Sequence, residues 1–153
     1  MSHPVPDRTE LSDLVHRYAA AIDDRDLDSA VGLFTPTAQL VLPNPPEQLG
    51  PVHSHHGHDE IRAALGVVTS VGRTHHDIAS EVYTADADAD AATAHGRIAG
   101  SAHHFSRRAE EITDIVWYLR YEDDYVRTGS GCRIERRALT IDAIETRPIR
   151  RLR

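Results

Sequence analysis

The feature that most limits the fold is a series of alternating segments that fills the second half of the chain. Alternation of apolar and polar residues is typical of a strand with one buried face. It occurs at residues 73–85, 93–105, 111–128 and 132–146. Helical patterns and one short strand precede these segments, in the order helix, helix, strand, helix. Helices followed by a succession of antiparallel strands predict an α+β fold, with the helices packed on one face of a bent sheet.

The helices are predicted from their caps and from apolar residues at helical spacing. Asp7 is followed three residues later by Glu10, a variant of the capping box, at the start of a long amphipathic segment. Asp26 is the expected N-cap of a second, shorter helix that ends by Pro36. A third helical pattern covers residues 58–68.

The segment PNPPEQLGPVHSHHG, residues 43–57, contains four prolines and two glycines. This composition predicts a loop, long enough to form a lid or the rim of a pocket. The overlapping stretch VHSHHGHDEI holds a cluster of four histidines: His53, His55, His56 and His58.

Three interpretations of this histidine cluster are open. The imidazoles could bind zinc together with Asp59, line a pocket rim, or lie in a solvated loop. The proline-rich and glycine-rich backbone and the lack of a nearby cysteine favour the rim or the loop. No metal is therefore expected, and His56 is predicted to contact substrate at the rim.

Length and charge limit the class of protein. A chain of 153 residues fits a single domain, with a core at about residues 9–146 and a basic C-terminal tail at 147–153. The 17 basic and 24 acidic residues give a formal charge of -7. This balance disfavours nucleic acid and anionic membranes as partners, because both are bound through clustered positive charge. The expected partner is a small molecule or a protein.

The cellular location is predicted from the cysteine content and the N-terminus. Cys132 is the single cysteine, so an internal disulfide framework is excluded. The first ten residues, MSHPVPDRTE, lack the basic start and apolar run of a signal peptide. No apolar stretch approaches the roughly 20 residues of a membrane helix. A soluble, cytoplasmic protein is expected.

Four segments, in this order, carry a resemblance to a known family: RYAAAIDDRDLDSAVGLFTPTAQLVL, GHDEI, RTHHDI and YVRTGSGCRIERRAL. Together they resemble the SnoaL-like branch of the nuclear transport factor two-like superfamily, over about residues 9–146. The resemblance implies a cone-shaped barrel in which three N-terminal helices fold over a strongly curved antiparallel sheet and enclose an apolar pocket. Relatives include scytalone dehydratase, ketosteroid isomerase, a dehydrochlorinase and polyketide cyclases. Most need no cofactor, so none is expected.

The resemblance also assigns roles to individual residues. In scytalone dehydratase and the dehydrochlorinase, an aspartate of the first helix pairs with a histidine on the strand after the third helix. Those positions are Asp23 and His76 here. A second dehydratase histidine lies on the next strand, where His103 is the best match and Ser101 or His95 are alternatives.

The chemistry of these residue types agrees with such roles. Strand alternation turns His76 toward the core, and an imidazole can accept a proton near neutral pH. Asp23 would orient the ring and stabilise the imidazolium. Tyr18, one helical turn before Ile22, could donate a hydrogen bond to a substrate oxygen, or it could be a core tyrosine. His76 could likewise be structural, and Asp23 could belong to a solvated helix end.

The resemblance and these residues together predict a lyase, isomerase or cyclase that moves protons on a hydrophobic carbonyl-bearing or aromatic molecule, such as a polyketide-like metabolite, and the resemblance implies that it works without a cofactor. A hydrolase that uses pocket water is one alternative. Another is a non-catalytic ligand-binding or assembly subunit, in which the pair of Asp23 and His76 would be closed off from any cavity. The resemblance further implies a homodimer through the outer face of the sheet, near Trp117.

Overall fold

The computed structural model describes residues 6–68, 70, 72–85 and 92–152. Helix α1 spans Arg8–Asp23 and begins where predicted, because the side chain of Asp7 accepts a 2.9 Å hydrogen bond from the backbone N–H of Glu10. Helix α2 spans Leu27–Gly32 and is capped in the same way by Asp26. The predicted caps therefore fix where both helices start.

One more helix and six strands complete the fold. In chain order they are β1 (Phe34–Asn44), β2 (Gln48–His56), α3 (Gly57–Val68), β3 (Arg73–Ala85), β4 (Thr93–Arg108), β5 (Glu111–Thr128) and β6 (Gly131–Ile149). The four predicted strands of the second half are all present. Because β6 continues to Ile149, residues 147–149 of the expected tail belong to the sheet.

The strands form one six-stranded sheet in the order β2-β1-β6-β5-β4-β3. The α+β fold, with helices packed on a strongly curved sheet, is confirmed. Two details of the prediction were wrong. The sheet is mixed, because β1 pairs in parallel with β6 while the other neighbouring pairs are antiparallel. It also stays open, since β2 and β3 form its two edges.

The segment predicted as a loop, residues 43–57, largely forms strand β2. Pro45 and Pro46 lie in the turn between β1 and β2, whereas Pro51 lies within β2 itself. Proline lacks a backbone N–H and is tolerated in strands at the edge of a sheet. Because β2 is an edge strand, its proline content is compatible with strand structure.

A β-bulge in β3 changes which side chains face the interior. The register between β3 and β4 shifts between Ile78 and Ser80. Before the bulge, His76 faces the interior, as predicted. Beyond it, Val82 is 59 % exposed and Tyr83 is half-buried, which reverses the alternation expected from the sequence. An extra residue in one strand moves every later side chain of that strand to the opposite face.

The helices cover one face of the sheet and enclose the core. Helix α1 packs against β3 and β6, and α3 packs against β1 and β2. The apolar side chains of this core include Leu11, Leu14, Ile22, Phe34, Leu40, Ile61, Leu65, Ile98, Leu119, Ile134 and Leu139. Among the helices in the described part of the chain, none is both long enough and apolar enough to cross a membrane.

Candidate active site

A cavity of about 270 Å³ lies between the helices and the sheet. Side chains of α1, α3 and all six strands line it. They are Tyr18, Ile22, Leu42, Pro43, His53, His55, Ala64, Leu65, Val67, His76, Ala102, His104, Trp117, Leu119, Tyr121 and Leu139. Most of these side chains are apolar, and the titratable ones are four histidines and two tyrosines. The described lining thus contains no arginine, lysine or carboxylate.

Asp23, the last residue of α1, and His76, in β3, form a hydrogen-bonded pair at the cavity wall. The Oδ1 atom of Asp23 lies 2.6 Å from Nδ1 of His76, and Oδ2 accepts the backbone N–H of His76 at 2.9 Å. The hydroxyl of Thr74 donates to Oδ1 at 2.9 Å. These contacts hold the carboxylate against the strand that carries the imidazole.

The hydrogen bonds of Asp23 also determine which ring nitrogen of a neutral His76 carries the hydrogen. An ionised carboxylate only accepts hydrogen bonds, so the Nδ1 atom of a neutral His76 ring carries the hydrogen and donates it. The Nε2 atom is then left with a free lone pair. His76 lines the cavity, and its side chain is 8 % exposed against 22 % for Asp23. Nε2 is therefore the nitrogen available to a cavity ligand.

The surroundings of Asp23 keep its carboxyl group ionised. Burial alone would raise the pKa of Asp23. The hydrogen bonds from the ring and backbone of His76, the charge of this ring and the bond from Thr74 outweigh burial, and the pKa of Asp23 lies below its usual value. At neutral pH the pair therefore contains a carboxylate that can stabilise an imidazolium.

Two tyrosines of the lining are held in place by a buried ion pair. The Cζ atom of Arg137 lies 4.4 Å from the ring centroid of Tyr18 and 4.1 Å from that of Tyr121. Asp123 accepts hydrogen bonds from Nε of Arg137 at 2.8 Å and from Nη2 at 2.6 Å. The guanidinium is thus fixed between the two rings, where cation–π attraction holds it.

Both tyrosine hydroxyls keep their protons at neutral pH. Burial raises the pKa of Tyr18 and of Tyr121. A protonated hydroxyl can donate a hydrogen bond to an oxygen that gains negative charge. Tyr18 is both a core residue and a lining residue, so the two predicted alternatives for it are compatible.

The second histidine of the site is His104, and the predicted roles of His103 and Ser101 are corrected. His104 lines the cavity, whereas Ser101 and His103 are absent from the described lining and lie on the opposite face of β4. The Nδ1 atom of His103 lies 2.7 Å from Oδ2 of Asp114. Because alternate residues of a strand face opposite sides, an error of one residue placed the wrong histidine in the site. His95 shares the outer face with His103.

The His104 ring is set up to accept a hydrogen bond. Its Nδ1 lies 2.9 Å from the backbone oxygen of Ile115, which only accepts, so Nδ1 carries the hydrogen. The ring packs against Trp117 with 4.3 Å between centroids. Burial, aided by the nearby charge of His76, lowers the pKa of His104 although the bond to Ile115 opposes this. At neutral pH its Nε2 therefore offers a lone pair.

The histidine cluster contributes two residues to the cavity. His53 and His55 lie opposite Leu42 and Leu40 in the paired strands β1 and β2, so all four side chains share one face. Both histidines line the cavity. In the described residues, neither imidazole has a hydrogen-bond or ion-pair partner. The expectation of a pocket rim thus applies to these two members of the cluster.

The other two histidines of the cluster have different surroundings. His56 is exposed and does not line the cavity, so its predicted contact with substrate is corrected: it falls on the opposite face of β2 from His55. Its backbone N–H donates to Glu60 at 2.6 Å. The His58 ring donates to the backbone oxygen of Phe34 at 3.0 Å. Across the described ranges, no three His, Cys, Asp or Glu side chains are arranged to hold a metal ion.

Trp117 also lines the cavity, and the expected homodimer through the outer face of the sheet stays a prediction. Its neighbours Val116 and Tyr118 belong to the opposite face of β5, where Val116 is buried and Tyr118 is 39 % exposed.

One signal in the sequence could have identified His104. Along β4 the small or apolar residues Ala94, Gly96, Ile98, Gly100 and Ala102 occupy every second position. His104 continues this series, while the positions between hold mainly polar residues. The alternation therefore places His104 on the buried face.

Comparisons with known proteins identify relatives at the level of family and fold. Residues 4–138 match the model of the SnoaL-like domain family. A proposed aromatic ring hydroxylase from Novosphingobium aromaticivorans is similar in structure with a TM-score of 0.75 and 21 % identity, over 94 % of this chain and 93 % of that one. No protein of curated function matches the sequence at a significant level.

Two further solved structures have names that denote elimination reactions. A proposed scytalone dehydratase from N. aromaticivorans has a TM-score of 0.72 and 19 % identity, over 90 % of this chain and 85 % of that one. Hexachlorocyclohexane dehydrochlorinase LinA-type3 from Novosphingobium barchaimii has a TM-score of 0.72 and 12 % identity, over 93 % and 89 % of the two chains. At such identities the similarity shows a shared fold.

Proposed function

Since the chain belongs to the SnoaL-like domain family, we propose that it is an enzyme that moves protons on a small hydrophobic molecule bound in the cavity. The proposed reaction is that of a lyase, isomerase or cyclase and uses neither a metal nor an organic cofactor. His76 is the general base, and Asp23 is the residue that positions it.

One observation carries this proposal. The Asp23 carboxylate lies 2.6 Å from Nδ1 of His76, and His76 lines an apolar cavity. A carboxylate that orients an imidazole is a recurring arrangement for general-base catalysis. In a non-catalytic subunit we would expect the same pair to be closed off from any cavity, so the position of His76 favours catalysis.

The proton-transfer step uses the free nitrogen of His76. The lone pair on Nε2 takes a proton from a carbon next to a carbonyl or a leaving group. The electrons of the broken C–H bond form a carbon–carbon double bond, either as an enolate or with departure of the leaving group and its bonding electrons. The imidazolium, stabilised by Asp23, then returns the proton to the departing oxygen or to another carbon.

Tyr18, Tyr121 and His104 supply the other polar groups that the proposed proton transfer needs. Tyr18 and Tyr121 keep their protons and donate hydrogen bonds to the substrate oxygen on which negative charge develops. His104 accepts a hydrogen bond from a substrate hydroxyl. The absence of permanently charged side chains from the described lining favours an uncharged substrate.

The names of similar structures agree with this chemistry in part. Dehydratases and dehydrochlorinases remove a proton and a leaving group, which matches the step proposed for His76. The proposed ring hydroxylase has a different named chemistry. One fold supports many reactions, so the proposal depends on the side chains of the site.

Exchange of carbon-bound hydrogen with solvent deuterium tests the proposal without knowledge of the natural substrate. We expect the wild type to accelerate this exchange in a panel of cyclic ketones that includes 1-tetralone, as measured by NMR. His76→Gln should lower the rate by a factor of about 10²–10⁴. His75→Gln is the matched control, because His75 is the preceding residue and is 62 % exposed on the outer face.

Folding of each variant is checked by circular dichroism. Exchange by the folded His76→Gln variant at the wild-type rate across the panel would rule out His76 as the base. A loss of exchange in the folded His75→Gln variant as large as that in His76→Gln would have the same consequence.

A further inference from the structure

Imidazoles from both edges of the sheet line the same cavity. His53 and His55 belong to β2, the strand at one edge, and His76 belongs to β3, the strand at the other. The strands between them contribute apolar side chains such as Leu119 and Leu139, together with His104 and Tyr121. A ligand that fills the cavity therefore meets imidazoles from two separate edges of the sheet.

The two imidazoles of β2 differ from most other histidines of the protein. The rings of His76 and His104 each use Nδ1 in a bond to a carboxylate or a carbonyl. Among the described residues, the rings of His53 and His55 have no such partner. A neutral imidazole has one N–H donor and one acceptor nitrogen, so both groups remain available at each of these two rings. Polar groups that line an apolar cavity are used to orient a ligand.

The chemistry of the lining limits what these rings would bind. In the described lining, no arginine or lysine is available to neutralise an anion. A hydroxyl or carbonyl oxygen needs only the donor or acceptor of a neutral imidazole. The volume of about 270 Å³ is below the range of roughly 300–1,000 Å³ that is usual for ligand pockets, so the ligand is compact.

We propose that His53 and His55 form a second subsite, which binds a hydroxyl or carbonyl oxygen at the end of the substrate away from His76. The substrate class is then a molecule of one or two rings with an oxygen group at each end. This inference rests on the proposed function, because that function assigns the reacting end of the molecule to His76.

Two matched ligands test the subsite by calorimetry at neutral pH. 1-Tetralone has one oxygen, and 6-hydroxy-1-tetralone has a second oxygen at the opposite end of the same bicyclic frame. We expect the wild type to bind the hydroxylated ketone about 3- to 10-fold more tightly, which corresponds to one additional hydrogen bond. The double variant His53→Leu/His55→Leu should bind both ketones with equal affinity.

A neighbouring histidine supplies the control. His56→Leu changes the next residue of β2, which is exposed and outside the described lining, and should leave the preference unchanged. The single variants His53→Gln and His55→Gln retain a donor and should each lose only part of the preference. If the double variant does not fold, the two single variants still test the subsite through this partial loss.

The outcomes separate the subsite from the proposed reaction. The subsite is overturned if the wild type shows no preference, including no binding of either ketone, or if the folded double variant keeps the preference. It is also overturned if His56→Leu abolishes the preference. The His76→Gln variant should still bind 6-hydroxy-1-tetralone more tightly than 1-tetralone, although it no longer catalyses deuterium exchange. A result that contradicts His76 as the base is therefore different from a result that contradicts the subsite.

Discussion

Arg137 donates two hydrogen bonds to Asp123, and neither side chain of this ion pair is exposed to solvent. Removal of one partner would leave a buried, uncompensated charge. We therefore expect Arg137→Met to lower the free energy of unfolding by about 3–5 kcal/mol. Urea denaturation followed by circular dichroism measures this change.

The sheet offers a surface ion pair for comparison with Arg137. Arg120 contacts Asp142, and these two side chains are 31 % and 48 % exposed. Arg120→Met should lower the free energy of unfolding by less than about 1 kcal/mol. Similar losses in the two variants would contradict the structural role assigned to the buried pair.

Asp23→Asn should reduce catalysis more than stability. The variant keeps a side chain of the same shape but removes the charge that stabilises the His76 imidazolium. We expect deuterium exchange in cyclic ketones to slow by a factor of about 10²–10⁴, the usual contribution of acid–base catalysis. The exchange rate of the folded variant checks this, and an unchanged rate would exclude Asp23 as a positioning residue.

Stability should decrease as the solution becomes acidic, because His104 resists protonation in the folded protein. Its folded pKa is lowered from 6.5, chiefly by burial. Between about pH 6.5 and this lowered value the unfolded chain binds more protons than the folded chain, so the free energy of unfolding falls as pH falls through the window. Urea denaturation at several pH values from about 5 to 8 measures the slope.

His104→Phe isolates this effect, since it keeps a ring but removes the titrating group. Its unfolding free energy should depend less on pH in the same window. A slope equal to that of the wild type would assign the pH dependence to other groups. The lowered pKa of Asp23 acts in a separate range: its contribution is present above about pH 4 and is lost as pH falls through the folded pKa.

Gly100→Ala should destabilise the strand that carries His76. A Cβ atom at position 100 would lie 2.1 Å from the backbone oxygen of Asp77, beside the bulge in β3. We expect a loss of at least about 1–3 kcal/mol in thermal or urea unfolding. Gly50→Ala is the control in another strand, where nothing lies within 4 Å of the added atom. Equal effects of the two substitutions would disprove the close approach.

Strand positions were predictable in the second half of the chain because the alternation there is long and regular. The segments at residues 73–85 and 111–128 have the same bounds in the structure as in the prediction. The pair of Asp23 and His76 was implied by the family resemblance, and the strand alternation before the bulge agrees with it because it turns His76 inward. Alternation was therefore sufficient for the direction of His76 and for the bounds of β3 and β5.

Strand β2 was not predictable in this way, because its tolerance for proline depends on tertiary structure. Pro51 is tolerated within β2 because β2 is an edge strand, and edge positions follow from the pairing of all strands. A loop prediction for residues 43–57 carries no strand alternation, so it does not indicate that His53 and His55 face the cavity. The bulge after Ile78 was also not predictable from the local sequence, because it depends on the pairing of β3 with β4.

The parallel pairing of β1 with β6 has a consequence for the order in which the protein can assemble. In the sheet, β1 has β2 and β6 as its neighbours, so the hairpin of β1 and β2 reaches the other strands through β6. During synthesis, that hairpin is complete long before the chain has reached residues 131–149. The wall that carries His53 and His55 can therefore close over the cavity only after β6 has been synthesised, so the binding site forms later than the hairpin that supplies these two histidines.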